Sequence, residues 1–380
     1  MKQIVFLILA GIVGTYAGTA RAATPTCVAP EQKISWPTAN PVWEFCYTAY
    51  TQSSGPRGSG LDLRNVHYNG RLVLKQAHAP MLFAEYTTST CYRDWKDVST
   101  PVLAEPAVRN QIGVSSVFNA TTSCDRSNDP VASYSTCPYG LPGRFNTDCF
   151  TGVAFEDKGT YLLVTAQYVA DWYMYSSRFA FYSDGAFEPE FGFGNRNGTN
   201  NNTTHWHHNY WRLDFDIEGG ANDQVLEDGA VQATEFASRR CNSTTTPACV
   251  NERRWIVRDS VTGRGYELLP SSDDYTTPTN QSGRAFHLVD VMATAYQAGE
   301  YGDNPAYQLS DCSMDEENLV GTVGGPNPPA AINGADVVLW YRVGVRDQTG
   351  VDSMICKKAG PAFRPVGDWG DGELFSDGFE

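Results

Sequence analysis

The apolar residues of this chain come in short runs, rich in β-branched and aromatic side chains and closed off by Gly, Pro, Asn or Asp. Runs of that length and chemistry fit pleated strands and are too short for amphipathic helices. Segments 71–74, 161–168, 173–182, 211–217, 254–258 and 337–345 read as strands. Segment 194–204 reads as a loop that delivers the chain into a histidine cluster, and 324–334 as a Gly/Pro/Ala loop leading into a buried strand. Segment 223–237 is compatible with a short helix. There is no internal repeat, no linker long enough to separate a pair of domains, and no extended amphipathic helix. The expected fold class is all-β: one large antiparallel β-sandwich with disulfides and few short helices.

Hydrophobic residues make up 41% of the 380 positions, enough for a large core, so disorder and coiled coil are excluded. Lys and Arg number 28 against 43 Asp and Glu, a net charge of -15, which would repel a phosphate backbone and argues against nucleic acid as a partner. Residues 1–22 have the form of a secretory signal: Lys2, an apolar run over 4–13 that is too short to span a bilayer, and Ala20-Arg21-Ala22 as a cleavage site. The expected organisation is a signal over 1–22, an N-terminal segment over 23–42, a sandwich domain over 43–369 and an acidic Gly/aromatic tail over 370–380. The ten cysteines all follow residue 22 and none forms a Cys-x-x-Cys pair, which points to export and to disulfides rather than zinc or thiol redox chemistry. Their pairing is not fixed by the sequence, although Cys241 and Cys249 are spaced for a local loop. Sequons at Asn119, Asn197, Asn201, Asn202, Asn242 and Asn280 are glycosylation acceptors in a eukaryotic secretory route and polar loops otherwise.

The densest chemistry lies in His205-Trp206-His207-His208-Asn209-Tyr210-Trp211-Arg212-Leu213-Asp214-Phe215-Asp216. On a strand, residues i and i+2 share a face, so His205 and His207 present two imidazoles together while His208 faces away. Such a pair grips Cu or Zn; an exposed His-rich turn is the alternative. Asp214 and Asp216 form a second same-face pair, suited to calcium if further oxygens join or else to solvent.

These residues resemble the copper amine oxidases. His205-Trp206-His207, followed by Arg212-Leu213-Asp214 and by Asp216-Ile217-Glu218-Gly219-Gly220-Ala221-Asn222, is similar to that family's copper-ligand strand. Segments 60–71, 265–268, 286–296, 333–340 and 363–365 follow in the family's order, so the resemblance spans roughly residues 43 to 369. It implies a β-supersandwich, usually a homodimer, that oxidises small primary amines with oxygen to aldehydes, ammonia and hydrogen peroxide. Its cofactors are copper and a topaquinone made from one of its own tyrosines, and a carboxylate serves as base.

Carried over position by position, the resemblance implies copper on His205, His207 and Asp347, the last standing where the family has a third histidine. It implies a quinone from Tyr173, counted back from Asp184-Gly185, although Trp172 and Met174 replace the family's flanking Asn and acidic residue. Tyr168 falls out of register with that turn. Glu105 is nearest in spacing to the catalytic base, with Asp97 a poorer match, and Asp214, Asp216 and Asp336 match a peripheral calcium site. Cys124 and Cys149 match the family's internal disulfide, and His287 falls on a position that is not a ligand. Substitution at the third ligand, the quinone motif and the base leaves open a catalytically silent relative acting as a metal-containing binding or companion protein.

Overall fold

The structure, a computed structural model, describes residues 24–48, 61–86, 91–94, 153–170, 173–195, 203–240, 253–270, 289–297, 328–347 and 357–370. In chain order the strands are β1 (Gln32–Trp36), β2 (Trp43–Thr48), β3 (Asp62–Tyr68), β4 (Arg71–Tyr86), β5 (Cys91–Asp94), β6 (Ala154–Asp157) and β7 (Tyr161–Ala170). There follow β8 (Tyr173–Tyr182), β9 (Phe187–Asn195), β10 (His205–Phe215), β11 (Asp223–Glu227), β12 (Ala230–Val231) and β13 (Phe236–Ser238). The last are β14 (Trp255–Asp259), β15 (Gly265–Leu269), β16 (Val291–Ala295), β17 (Val337–Asp347), β18 (Lys357–Ala359) and β19 (Ala362–Val366). No helix occurs among the described residues, so none there is long and apolar enough to cross a membrane.

The strands form two antiparallel sheets. A nine-stranded sheet runs β1-β2-β3-β4-β10-β17-β16-β13, with β5 on β4; a ten-stranded sheet runs β12-β11-β14-β15-β19-β9-β8-β7-β6, with β18 on β9. The expected all-β sandwich is therefore what the chain builds. Its first strand, β1, lies upstream of residue 43 and pairs with β2, and the Cys27–Cys46 disulfide ties the segment before it to β2. The expected Cys124–Cys149 and Cys241–Cys249 pairs lie outside the described residues.

Segment 223–237 forms β11, β12 and the start of β13 instead of the short helix its sequence was compatible with. The reason is Asp228-Gly229: both residues have positive φ, 50° and 81°, and Glu227 pairs directly with Ala230. That is a two-residue hairpin turn whose backbone twist matches its strands, and Asp-Gly favours it over a continuing helix. Asn69-Gly70 does the same between β3 and β4. At Gly185, between β8 and β9, φ is +90° and a Cβ would come within 2.6 Å of the Tyr68 ring, so no side chain fits the turn.

Every residue of β10 is buried. It lies between β4 and β17 in the nine-stranded sheet, and strand alternation splits its side chains between two environments. Trp211, Leu213 and Phe215 join Leu339, Tyr341 and Val343 of β17 in the main core, packed against the second sheet. The Trp211 ring meets Phe179 of β8 edge-on at 4.9 Å, and Phe215 lies 5.8 Å from Phe363 of β19. Tyr210 of β10, Val338 and Trp340 of β17, and Met81 and Phe83 of β4 build a second, smaller core on the opposite face. Trp211→Ala should remove an aromatic pair and leave a cavity at the centre of the sandwich. We expect a loss of about 3–5 kcal/mol, read as a lowered midpoint of denaturant unfolding with native secondary structure retained in water.

Candidate metal centre

At its N-terminal end the inner face of β10 carries His205 and His207, both fully buried. Their rings lie 4.9 Å apart at 70°. His205 is paired in register with Asp347 at the end of β17, also fully buried, and its Nε2 stands 3.7 Å from Asp347 Oδ2. On its other side His205 pairs with Tyr86 of β4, whose ring stacks on the imidazole at 4.6 Å and 16°. The three residues the sequence nominated as copper ligands thus occupy one corner of the sandwich, brought together by the register of β10 on β17.

The outer nitrogens define how these imidazoles face. His205 Nδ1 lies 2.8 Å from the Thr203 carbonyl oxygen, which can only accept, so Nδ1 carries the proton. In the neutral ring Nε2 then directs a lone pair toward the Asp347 carboxylate. Burial holds the His205 pKa below its ordinary value despite the Thr203 bond, which acts the other way. His207 Nδ1 lies 2.9 Å from the hydroxyl of Tyr175 on β8, in the opposite sheet. Burial, and then the neighbouring His205 and His208, hold the His207 pKa well below the ordinary range. Burial thus disfavours the charged form of both rings, and the neutral form is the one a ligating imidazole requires.

The chemistry fits a two-His, one-carboxylate set, with a distance still to close. Among the described residues, the one trio of His, Cys, Asp or Glu ligand atoms lying mutually within 4.8 Å is Cys27, Glu31 and Cys46, whose sulfurs are joined in the disulfide. His205 and Asp347 stand 3.7 Å apart, and His207 lies on the same strand face with its ring 4.9 Å from that of His205.

His208 faces away, as alternation requires. Its Nε2 meets Glu85 at 2.9 Å, and its Nδ1 lies 3.3 Å from Arg342 Nη1. Arginine can only donate, so Nδ1 accepts and Nε2–H donates to Glu85. Arg342 also bonds the Val289 carbonyl at 3.1 Å and the Asp290 carboxylate. His208 is thereby engaged at both nitrogens in a buried polar network on the outer face.

At the opposite end of β10, Asp214 and Asp216 approach Asp336, which immediately precedes β17. Arg212 reaches Asp214 at 3.5 Å. The glycine at 220 lets the 216–222 turn close over Asp336, because a Cβ there would lie 2.9 Å from the Asp336 Cγ. Loop 333–336 is tied to β11 by Gly334 N–H to the Asp223 carbonyl at 2.8 Å and by Gln224 to Asn333 at 2.7 Å. This brings in a carboxylate that sequence reasoning did not nominate, the fully buried Asp223. Burial, then the charges of Asp216, Asp336 and Asp259, push its carboxyl up to about 9. Burial and Asp216 likewise raise Asp336, with Arg212 opposing. Like charges gathered out of water are what a hard cation relieves, so this end of β10 is a candidate calcium site.

Of the other nominated residues, Tyr173 begins β8, its backbone paired with Ala170 and Asn195. Its side chain, together with Glu105, Asp97 and His287, lies outside the described residues. Sequence reasoning also did not single out Tyr175, Tyr86 or Glu85. Tyr175 had a local signal, being two residues along the strand from Tyr173; Tyr86 and Glu85 depend on strand pairing that no local pattern carries.

No family model matches the chain, and no curated protein matches it in sequence. Solved structures do match in fold. The chain is similar to a copper-containing benzylamine oxidase from Hansenula polymorpha, with a TM-score of 0.52 at 13% identity over 88% of this chain and 59% of that one. It aligns with an amine oxidase of Aspergillus nidulans at a TM-score of 0.48 and 15% identity, over 96% and 55% of the two chains. With a lysyl oxidase of Pichia pastoris the values are 0.47 and 12%, over 95% and 56%. This chain therefore spans less than two thirds of those proteins, and the likeness to the first establishes a shared fold: an amine-oxidase-like β-sandwich.

The Asp223 carboxyl supplies a test that needs no ligand. Its unfolded value lies near 3.8 and its folded value near 9. Below pH 3.8 it is neutral in both states. Between these values the unfolded chain gives up the proton while the folded chain holds it, so stability falls as pH rises across the window. In the presence of a chelator, Asp223→Asn should match the parent near pH 4 and become progressively more stable than it toward pH 9, measured by thermal or urea unfolding at each pH.

Proposed function

We propose that this chain is an exported metalloprotein in which His205, His207 and Asp347 hold one transition-metal ion, while Asp214, Asp216 and Asp336 hold a hard cation at the far end of the same strand. The observation that carries this reading is the His205–Asp347 pair. A neutral imidazole whose proton is committed to Thr203 turns its Nε2 lone pair on a buried carboxylate oxygen 3.7 Å away. That spacing is too long for a hydrogen bond, and an imidazole nitrogen beside a buried carboxylate is a donor set that suits a cation. A transition-metal ion there would be held by His205, His207 and Asp347 and would supply redox or Lewis-acid chemistry.

The reaction we assign to the site is oxidation of a small primary amine by oxygen to an aldehyde, with release of ammonia and hydrogen peroxide. Copper and a quinone derived from Tyr173 would supply the electron transfer. Glu105 is the residue we assign to take the substrate's α-proton, and the working unit is a homodimer. Support comes from the amine-oxidase-like fold and from the order of motifs along the sequence. The chain's own described residues contribute buried, oriented imidazoles packed against the rings of Tyr86 and Tyr175, and burial strengthens the electrostatic contacts they make.

A second reading, a catalytically silent companion protein that retains the metal, is favoured by Trp172 and Met174 around Tyr173 and by Asp347 as the third ligand. A carboxylate shifts ion preference and redox behaviour away from those of an all-imidazole copper site. One experiment separates the readings: metal-free protein is given copper in air and treated with phenylhydrazine. A visible quinone band and a covalent adduct support the oxidase; bound copper without either supports the companion. In both cases His205→Ala and Asp347→Ala should each lose bound metal, measured by elemental analysis after dialysis. Parent-like metal content in both variants would remove the ligand assignment.

A further inference from the structure

We propose that Tyr175 is a positioning residue of the metal centre: its phenol oxygen accepts the Nδ1 proton of His207 and so presents Nε2 as the ligating nitrogen. This rests on the two-histidine, one-carboxylate reading above and adds to it the group that sets the second imidazole. The two histidines solve the same problem with different partners. A neutral imidazole carries one proton, and only the nitrogen without it can bind a metal ion. His205 has that choice made by a backbone carbonyl, which accepts and never donates. His207 meets a hydroxyl at 2.9 Å, which can do either. If the hydroxyl donated to Nδ1, the ring proton would sit on Nε2 and close that nitrogen to an ion. With an ion on Nε2 a single orientation is left, Nδ1–H to phenol oxygen. The ring proton moves from one nitrogen to the other, and no proton is gained or lost.

Tyr175 is held in place by its surroundings. It is fully buried, its ring stacks on Phe191 at 5.7 Å and 27°, and it meets the His207 ring edge-on at 5.4 Å and 62°. Its backbone is paired on both sides, with Tyr168 and with Phe193. The hydroxyl therefore arrives at Nδ1 from a rigid element of the opposite sheet, and the imidazole orients to it. Outer partners of this kind fix ring orientation and raise ligand basicity.

The test compares the full chain with Tyr175→Phe, which keeps the ring and removes only the oxygen. Zinc alone is the probe, its affinity measured by competition with a chromogenic chelator. We expect about 10- to 100-fold weaker zinc binding in the variant, with the same stoichiometry at saturation. A purely packing role for Tyr175 would leave the affinity unchanged, and equal affinities would overturn the proposal. A second measurement needs no variant: nitrogen-15 chemical shifts of the His207 ring in the zinc-loaded parent should show Nδ1 protonated and Nε2 bound. An unprotonated Nδ1 would overturn the proposal while leaving the metal site standing. Absence of zinc binding by the parent itself would instead sink the metal reading, and this inference with it.

Discussion

The pairing of β10 with β17 is the constraint on which the rest of this molecule depends. Eleven consecutive residues of each strand are matched from His205 against Asp347 to Phe215 against Val337. Both strands lie inside the nine-stranded sheet, so their backbone hydrogen bonds are made away from water and leave little freedom to slide. Side chains alternate with a period of two, and a slip of one residue would turn every inward group outward. It would move His205 and His207 off the sandwich interior and carry Trp211, Leu213 and Phe215 with them. Core packing and ligand placement are consequences of one register, and the apolar stretch of that register holds the polar stretch in place.

That coupling explains what could be read from the chain alone. The β class was legible because strand chemistry and turn residues agree over most of its length. The face shared by His205 and His207, and the outward turn of His208, followed from alternation within a single strand. Asp347 was found by likeness to a family's spacing, and its placement opposite His205 is a property of two strands far apart in the chain, which no local pattern encodes. Glu85 and Tyr86 escaped notice for the same reason. Asp223 was missed because a lone acid at the start of a strand looks solvated until loop 333–336 is seen folded against it. The helix weighed for 223–237 failed on one dipeptide: Asp228-Gly229 is read as a hairpin turn only when the short strands on either side are recognised, and β12 has just two residues.

The electrostatic design of β10 divides by face and by end. Inward at one end lie two neutral imidazoles and a carboxylate, outward a network in which His208, Glu85, Arg342 and Asp290 engage one another. At the far end several carboxylates gather around the meeting of β10, β11 and β17, with Arg212 nearby. In the outward network each member has a partner of suitable donor or acceptor type. The two ends instead concentrate groups that coordinate cations well and one another poorly, which is why the metal reading attaches to them and not to His208.

The outward network has a mechanical corollary for the inward face. His208 is bolted to neighbouring strands through Glu85 of β4 and Arg342 of β17, so the peptide that joins it to His207 cannot drift to accommodate a visitor. An ion held there would meet a fixed backbone, so its choice would rest on radius and preferred bond angle, with small ions content with few ligands favoured over large ones that demand many oxygens.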